Sequence, residues 1–359
     1  MLSNEAKEEL IHQKYRFVGD HSAVKVCHWT KSMITGNGSC YKHTFYGIES
    51  SQCMQMTTSI SCANRCIYCW RGYKAPVSKE WIWKTDDPEL ILNQSQKEHH
   101  KLVVGLKGHK HVDMKIFKMS NNVRHVALSL TGESIVYPRI NELIDLFHKN
   151  MISTFLVTNA MYPEQIRNLK PITQLYISLD SPNKELAKKV GVPLFSDYWD
   201  RLNTSLGYMS QKKGRTCIRI TSIKDINMIE PEGYAELIKK GDADFIEVKA
   251  YMHIGASRLR LKRENMPLHE EIVEFAKQIM EYLPDYNIVS EHIASRVVLF
   301  AKKKFKKDDG WHTWIEFEKF FEGNTSTDDY LAKTPITGLS GRGTKDYRKK
   351  EEIEMAEED

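Results

Sequence analysis

The stretch TTSISCANRCIYC, residues 57–69, decides the fold. Three of its first five residues, Thr57, Thr58 and Ile60, are β-branched, as is typical of a short strand. Cys62, Cys66 and Cys69 follow at once with the spacing C-x3-C-x2-C. In folds built from β-α units, active sites collect at the C-terminal ends of the strands, where this loop would lie. Three thiolates on one short loop can hold three irons of a [4Fe–4S] cluster and leave the fourth iron open to a ligand.

Downstream of this loop, apolar strands alternate with amphipathic stretches. After 57–61, the predicted strands are 125–130, 153–159, 174–180, 216–223 and 245–251, and the predicted helices are 87–101, 138–149, 163–169, 184–190, 197–212, 231–240 and 268–283. This alternation predicts an α/β fold with a parallel sheet. Six β-α units are too few for the usual eight-stranded barrel, so we expect a partial (β/α)6 TIM-like barrel with N-terminal and C-terminal extensions.

The extensions give four expected segments. Residues 1–55 form an N-terminal extension, with a helix at 4–15 followed by a loop-rich region, and residues 56–284 form the barrel. Residues 285–335 form a C-terminal extension that contains one or two strands and an aromatic-rich helix at 311–322. Residues 336–359 are basic and then acidic, as in a flexible tail.

Composition narrows the class of protein. Of the 359 residues, 41% are hydrophobic and 28% are charged, which is typical of a globular protein rather than a disordered one. We find no apolar run of about 18 residues, and the first residues lack the apolar stretch of a secretion signal. The sequence therefore predicts a cytoplasmic protein, a monomer, with no membrane association. The net charge of +5 includes an acidic C-terminal segment, EEIEMAEED. The rest of the chain is therefore more basic than the total suggests, which is compatible with an anionic partner.

Seven cysteines in a chain without a secretion signal favour metal or redox chemistry over disulfides. For the first triad, the structural alternative is a zinc knuckle, which needs a fourth Cys or His at close spacing. A second triad, Cys27, Cys40 and Cys53, has the spacing C-x12-C-x12-C and could hold a second [4Fe–4S] cluster. Its alternative is three buried free thiols. Cys217 lies inside a predicted strand and is expected to be a core residue.

Polar residues follow the other predicted strands. Thr131-Gly132-Glu133 ends the second strand, where a glycine permits close backbone approach and a carboxylate suits an ammonium group. Asn159, Ser178 and Asp180 end the third and fourth strands on the same rim. Each of these three could contact a ribose or carboxylate, or could merely cap its loop.

The first triad, its following Trp70-Arg71, and the Thr-Gly-Glu segment resemble the radical S-adenosylmethionine enzymes. The second triad, together with Ile246-Glu247-Val248-Lys249 and Thr313-Trp314-Ile315, makes the chain similar to one family among them, tRNA 4-demethylwyosine synthase. This resemblance covers residues 20 to 335. One departure is Ser134, where the family often has proline.

The resemblance implies a fold, cofactors and roles. The barrel would be of the radical S-adenosylmethionine type, with two [4Fe–4S] clusters on Cys62, Cys66 and Cys69 and on Cys27, Cys40 and Cys53. S-adenosylmethionine would bind the open iron of the first cluster, with Tyr68 near its adenine and Glu133 at its ammonium. Lys42 would form a Schiff base with a carbonyl, as a lysine of lowered pKa can. The alternative for Lys42 is an ordinary solvated surface lysine.

The resemblance also implies substrates and partners. The reaction would convert N1-methylguanosine at position 37 of phenylalanine tRNA, with pyruvate, to 4-demethylwyosine, and an external donor such as a ferredoxin or flavodoxin would supply electrons. Basic residues with interspersed aromatics suit an RNA. The candidate segments are 101–124, 256–263 and 302–307, with Arg342, Lys345, Arg348 and Lys349 as a fourth. Any single segment could instead be an ordinary solvated face.

Two other functions fit part of this pattern. One is a different twin-cluster radical S-adenosylmethionine enzyme acting on a small molecule or peptide, although auxiliary cluster ligands of that kind usually follow the barrel. The other is an RNA-binding protein whose N-terminal cysteines bind a stabilising metal. It would be colourless and zinc-loaded, whereas the enzyme would be brown when prepared without oxygen.

Overall fold

The structure is a computed structural model that describes residues 2, 4–72, 74–323 and 326–344. Its centre is a ten-stranded sheet in the order β1-β2-β3-β4-β5-β6-β7-β8-β10-β9. The strands are β1 Arg16–Val18, β2 Ser22–Lys25, β3 Cys53–Thr57, β4 His125–Leu128, β5 Ser153–Thr158, β6 Gln174–Ser178, β7 Arg215–Ser222, β8 Phe245–Ala250, β9 Tyr286–His292 and β10 Val297–Lys302. Strands β3 to β8 are parallel neighbours, and both edges of the sheet are antiparallel. The predicted partial barrel of six β-α units is confirmed.

The described residues contain twelve α-helices, and most of those between the parallel strands cover the outer face of the sheet. They are α1 Asn4–His12, α2 His28–Ile34, α3 Tyr41–Tyr46, α4 Pro88–Val104, α5 Met114–Met119, α6 Ile140–Lys149, α7 Pro163–Asn168, α8 Lys184–Gly191, α9 Tyr198–Met209, α10 Pro231–Gly241, α11 His269–Met280 and α12 Phe317–Phe321. Ile91 of α4, Leu143 of α6 and Ile238 of α10 are fully buried against the outer face of the strands. Within the described ranges, no helix is both long enough and apolar enough to cross a bilayer.

Three local predictions were wrong. The strand expected at 57–61 is displaced to Cys53–Thr57, so the second triad's last cysteine begins a strand. The region expected to be loop-rich contains β1, β2, α2 and α3. The helix expected at 311–322 is only Phe317–Phe321, because Gly310–Trp311 and Trp314–Ile315 pair as short strands β12 and β13 with β11, Lys306–Lys307, and β14, Leu331–Ala332.

The extensions are part of the main sheet. Strands β1 and β2 extend its β3 edge, and β10 and β9 extend its β8 edge. Strand β3 also spans the expected boundary at residue 55. The hydrogen bonding is continuous across all ten strands of the sheet. The division of the chain into four segments stays a prediction.

The inner face of the barrel is filled by side chains from β5 to β8 and by helix α3. Register pairs Tyr176 with Cys217 and Cys217 with Phe245, so these three side chains lie in one layer across neighbouring strands. Phe45 and Tyr46 of α3 are fully buried against this layer. Helix α3 has only six residues, so packing rather than intrinsic helix propensity holds it in place.

Candidate active site

The loop that carries Cys62, Cys66 and Cys69 follows β3 and is held from inside by Arg71. The buried Arg71 guanidinium donates hydrogen bonds to three backbone carbonyls of the loop, at 3.2, 3.0 and 3.0 Å. They belong to Ile60, Pro76 and Asn64. Because one rigid cation satisfies three carbonyls, the loop keeps its shape without regular secondary structure.

Arg260 holds the same loop from the other side. Its guanidinium donates to the carbonyls of Ile67 at 3.0 Å, Cys69, and Arg71 at 3.3 Å. Nearby, Gly255 has a φ of +55°, and a Cβ there would lie 2.7 Å from the Trp70 carbonyl oxygen. The segment around residues 255–260 therefore packs directly on the cysteine loop and limits its movement.

The thiols of the first triad are in a low-polarity environment. Burial raises the pKa of Cys62 to about 11, against a small lowering by Arg71. Burial, together with the other two cysteines, raises the pKa of Cys66 well above its ordinary value. The Asn159 side-chain amide donates to the Cys62 sulfur at 3.4 Å. Metal binding would draw the protons from these thiols, since thiolates are the ligands of such clusters.

The predicted Thr-Gly-Glu segment lies against the base of this loop. Gly132 has a φ of +69°, and a Cβ on it would lie 1.8 Å from the Ser59 carbonyl oxygen. Glu133 then enters the site with its Oε2 accepting from the Asn159 backbone at 3.0 Å. Its Oε1 is buried and has no hydrogen-bond partner among the described residues. Burial raises the pKa of Glu133 to about 7. An unpartnered buried carboxylate oxygen is suited to a cationic donor such as an ammonium.

Ser134 takes over the role that a proline would have in fixing this turn. Its hydroxyl lies 3.3 Å from both the Thr57 hydroxyl and the Thr58 backbone nitrogen. Its carbonyl accepts from the Thr58 hydroxyl at 2.8 Å. The turn is fixed by hydrogen bonds to the end of β3, since serine does not restrict φ as proline does.

On the opposite rim, the Tyr68 hydroxyl donates to Asp180 Oδ2. Asp180 Oδ1 accepts from the Thr221 backbone at 2.7 Å, and burial raises the Asp180 pKa. Together with Ser178 and Asn159, the Tyr68 and Asp180 side chains line one cleft next to Cys66. The structure thus brings all the rim residues predicted from the sequence, Tyr68, Gly132, Glu133, Asn159, Ser178 and Asp180, to the same end of the barrel.

The second triad forms through antiparallel pairing. Lys25 of β2 is opposite Gln55 of β3, so Cys27, two residues further along, returns to the level of Cys53. Cys27 and Cys40 precede α2 and α3, and the Cys40 backbone donates to the Ser50 hydroxyl at 3.0 Å. Burial raises the pKa of all three thiols, that of Cys53 to about 12. Neighbouring thiols raise the pKa of Cys40 and Cys53 further, whereas Lys42 lowers all three values.

Lys42 lies between the second triad and the interior of the barrel. It is 9% exposed, and its Nζ is 4.6 Å from the centroid of the Tyr176 ring and 5.5 Å from that of Phe155. Beside it, the Tyr46 hydroxyl donates to Glu247 Oε1 at 2.9 Å. Lys249 is on the same strand as Glu247, and burial lowers its pKa to about 8. A surface lysine, the alternative for Lys42, is excluded by this burial.

The first triad is a candidate for a cluster of several metal atoms. Within the described ranges, no three His, Cys, Asp or Glu side chains are close enough to bind one metal ion together. In a cubane cluster, by contrast, each thiolate binds an iron of its own. Three thiols around a braced loop, next to a free carboxylate oxygen, fit an iron–sulfur cluster with a bound cationic ligand.

Comparison with known proteins gives the family. The profile of the radical SAM superfamily matches residues 56–238, and that of wyosine base formation matches residues 240–302. A solved structure described as TYW1 with a lysine-pyruvate adduct bound is 35% identical, with a TM-score of 0.77, over 86% of this chain and 99% of that one. The chain belongs to the tRNA 4-demethylwyosine synthase family. A crystal structure of archaeal TYW1 is 32% identical, with a TM-score of 0.70, over 86% of this chain and 99% of its own.

Curated family members extend further than this chain. The mouse (Mus musculus) S-adenosyl-L-methionine-dependent tRNA 4-demethylwyosine synthase is 45% identical over 95% of this chain and 49% of its own length. The Schizosaccharomyces pombe synthase is 43% identical over 98% of this chain and 54% of its own length. The chain therefore spans about half the length of the curated relatives it matches. Membership of the radical SAM superfamily implies S-adenosylmethionine and one [4Fe–4S] cluster.

Several residues of the candidate site have no assigned role in the sequence analysis. Arg260 is counted there only among basic residues, yet its guanidinium holds the cysteine loop. Glu247 and Lys249, which belong to the quoted Ile-Glu-Val-Lys segment, face the barrel interior together with Arg219, for which strand alternation in β7 was the only signal. Cys217 is fully buried, as expected of a core residue.

The basic segments differ in how available their charges are. In 302–307, Lys302, Lys304 and Lys307 form ion pairs with Asp242, Asp244 and Asp328. In 101–124, Lys101 pairs with Glu98 and Arg124 with Glu318. Arg342 is exposed, whereas Lys345, Arg348 and Lys349 lie outside the described residues. Charges already paired on the protein contribute less to a phosphate-binding surface.

Proposed function

We propose that the chain catalyses formation of 4-demethylwyosine from N1-methylguanosine at position 37 of phenylalanine tRNA and pyruvate. The observation that carries this proposal is the burial of Lys42, the neighbour of the second cysteine triad, against the aromatic side chains of a barrel whose rim bears the first triad. A different twin-cluster enzyme would not need an amine at that place. The names of the relatives support the tRNA substrate, and the lysine-pyruvate adduct of one relative supports the α-keto acid.

The first triad and the rim residues would hold S-adenosylmethionine. The Glu133 carboxylate would accept hydrogen bonds from the methionine ammonium, and the Tyr68 ring would lie beside the adenine. Asn159, Ser178 and Asp180 would contact the ribose or the carboxylate. When bound, the cluster supplies the electron that reductively cleaves S-adenosylmethionine and so provides a radical for abstracting hydrogen from the N1-methyl group.

Lys42 would bind pyruvate covalently. Its neutral amine attacks the keto carbon, the tetrahedral adduct loses water, and an imine joins Nζ to the former carbonyl carbon. The rings of Phe155 and Tyr176 exclude water from this imine and so slow its hydrolysis. The three thiols of Cys27, Cys40 and Cys53 would hold the second [4Fe–4S] cluster beside this adduct.

The RNA would approach the C-terminal rim of the barrel. A base in the anticodon loop must leave its stack to reach the cleft next to Tyr68. The basic segment 256–263 contains Arg260, whose guanidinium packs on the cysteine loop. A ferredoxin or flavodoxin would supply electrons, and the cytoplasmic location and monomeric state remain predictions of the sequence.

The experiment that tests this function is an anaerobic incubation of the reconstituted chain. It contains S-adenosylmethionine, dithionite, pyruvate and tRNA with N1-methylguanosine at position 37, and digested nucleosides are analysed by mass spectrometry. A tricyclic guanosine that gains two pyruvate carbons supports the proposal. Lys42→Arg keeps the cation but cannot form the imine, so it should give no product and is the matched control. Production of 5′-deoxyadenosine without modified tRNA would overturn the substrate assignment but not the radical chemistry.

A further inference from the structure

Arg219 is a cation inside the barrel without a described counterion. Register places it between Ser178 of β6 and Glu247 of β8, on the inner face of the sheet. Its side chain is only half-buried, and its neighbour in register, Ser178, lines the cleft next to Cys66 of the first triad. Among the described residues, its guanidinium makes neither a hydrogen bond nor an ion pair.

The two carboxylates near Arg219 already have other partners. Glu247 accepts from the Tyr46 hydroxyl at 2.9 Å. Asp180 accepts from the Tyr68 hydroxyl and, at 2.7 Å, from the Thr221 backbone. Both carboxylates act on Arg219 only through longer-range electrostatics. The two carboxylates lower the positive potential around Arg219 but form no hydrogen bond with its guanidinium group.

Lys42 is a second interior cation whose charged group has neither a counterion nor a hydrogen bond among the described residues, whereas Lys249 donates to the Ser295 carbonyl at 3.0 Å. The Nζ of Lys42 is over aromatic rings rather than beside a carboxylate. A cation that is buried or half-buried is normally paired or hydrogen-bonded, because removing its charge from water is costly. Two such cations facing one interior therefore indicate that a bound reactant provides the anion.

We propose that Arg219 binds the carboxylate of a reactant between the two cysteine triads. A planar guanidinium with several donors matches a carboxylate through two parallel hydrogen bonds. Two carboxylates could reach it: that of the α-keto acid joined to Lys42, and that of the methionine part of S-adenosylmethionine. The first source rests on the proposed function, whereas the second requires only membership of the radical SAM superfamily.

Binding measurements on the reconstituted holoenzyme distinguish the two sources. In one arm, pyruvate and cyanoborohydride are added, so that hydride reduces the Lys42 imine to a stable secondary amine. Intact-protein mass spectrometry then gives the fraction modified at each pyruvate concentration. In the other arm, equilibrium dialysis gives the dissociation constant for S-adenosylmethionine. The variants are Arg219→Gln and Arg219→Lys, and Arg167→Gln on the outer helix α7 is the exposed control.

For Arg219→Gln, we expect the concentration needed for half-saturation to rise about tenfold to a hundredfold in one arm, as for loss of a charge-assisted hydrogen bond. Arg219→Lys should give a smaller rise, because a lysine keeps the charge but not the paired geometry. A rise in the pyruvate arm assigns the α-keto acid, and a rise in the S-adenosylmethionine arm assigns methionine. Arg167→Gln should shift neither.

Changes within twofold in both arms, with unaltered iron content and thermal unfolding, would overturn the role of Arg219. If the wild-type chain traps no pyruvate, the covalent step of the proposed function has failed, and the S-adenosylmethionine arm alone decides about Arg219. If Arg219→Gln does not fold, Arg219→Lys is measured in its place. A rise in one arm then supports the role of Arg219, and changes within twofold in both arms overturn it.

Discussion

The Tyr68 hydroxyl donates a hydrogen bond to Asp180 and so joins the cysteine loop to the rim after β6. These two residues are 112 positions apart in the sequence. The loop is therefore attached to the barrel wall at the mouth of the cleft, in addition to its support from Arg71 and Arg260.

Tyr68→Phe tests this attachment. The change leaves Asp180 buried with one partner fewer, so we expect the free energy of unfolding to fall by about 1–3 kcal/mol. Tyr282→Phe is the matched control, since Tyr282 is 42% exposed and should change stability little. Urea unfolding of the cluster-free proteins measures both. Equal stabilities for Tyr68→Phe and the wild type would show that the bond contributes nothing.

Gly132 and Gly36 have similar positive φ angles, but only at Gly132 would an added Cβ meet another atom. Alanine substitutions at the two positions therefore measure the backbone strain and the steric clash separately. Gly132→Ala places a Cβ 1.8 Å from the Ser59 carbonyl oxygen, whereas Gly36→Ala, at a φ of +75°, meets nothing within 4 Å. We expect Gly36→Ala to cost about 1–2 kcal/mol for the left-handed conformation. Gly132→Ala should cost more and should also weaken S-adenosylmethionine binding. Denaturant midpoints and dialysis provide the two measurements, and equal losses for both variants would contradict the steric explanation.

Glu133 should make S-adenosylmethionine binding depend on pH. Burial raises the pKa of this carboxyl to about 7, so it is protonated below that value and ionised above it. Only the ionised form attracts an ammonium strongly, so affinity should fall as pH drops, by up to about tenfold per pH unit below 7. Dissociation constants between pH 6 and pH 8 test this. In Glu133→Gln the dependence should disappear, and an unchanged slope in that variant would assign it to another group.

His99 should make the folded protein less stable in mild acid. Both of its ring nitrogens are buried without a described partner, and burial lowers its pKa to about 4 from 6.5. The unfolded chain therefore binds one more proton between these values, and stability rises with pH through this window and levels off above it. Between pH 7.5 and pH 5, His99 should lower the free energy of unfolding of the wild type by about 2 kcal/mol. In His99→Leu this contribution to the pH dependence should be absent.

The exposed Leu90 on the same helix α4 provides the control for this prediction. Leu90→Ala changes no titratable group, so it should leave the pH dependence of unfolding as it is in the wild type. Urea midpoints at the two pH values compare the three proteins. If the stability of His99→Leu falls with pH as much as that of the wild type, His99 is not the source of the pH dependence.

Much of the rim could be predicted because its residues are close to strand ends. In a parallel sheet, the C-terminal ends of neighbouring strands meet at one edge, so Glu133, Asn159 and Asp180 had to converge once their strands were assigned. The error in β3 did not matter to this result, since the cysteine loop still follows the strand. The N-terminal region was harder, because short elements such as α2 and α3 carry too few residues for a periodic signal.

The sequence by itself determined the alternation of strands and helices, the rim residues and the two cysteine triads, since these depend on periodicity and on spacing along the chain. Only the tertiary structure decided what each buried face is buried against. It placed α3 inside the barrel, brought Cys27 to Cys53 through the pairing of β2 with β3, and set Arg219 beside Glu247. Such contacts depend on strand register and on packing between segments far apart in the chain, which local residue preferences do not specify.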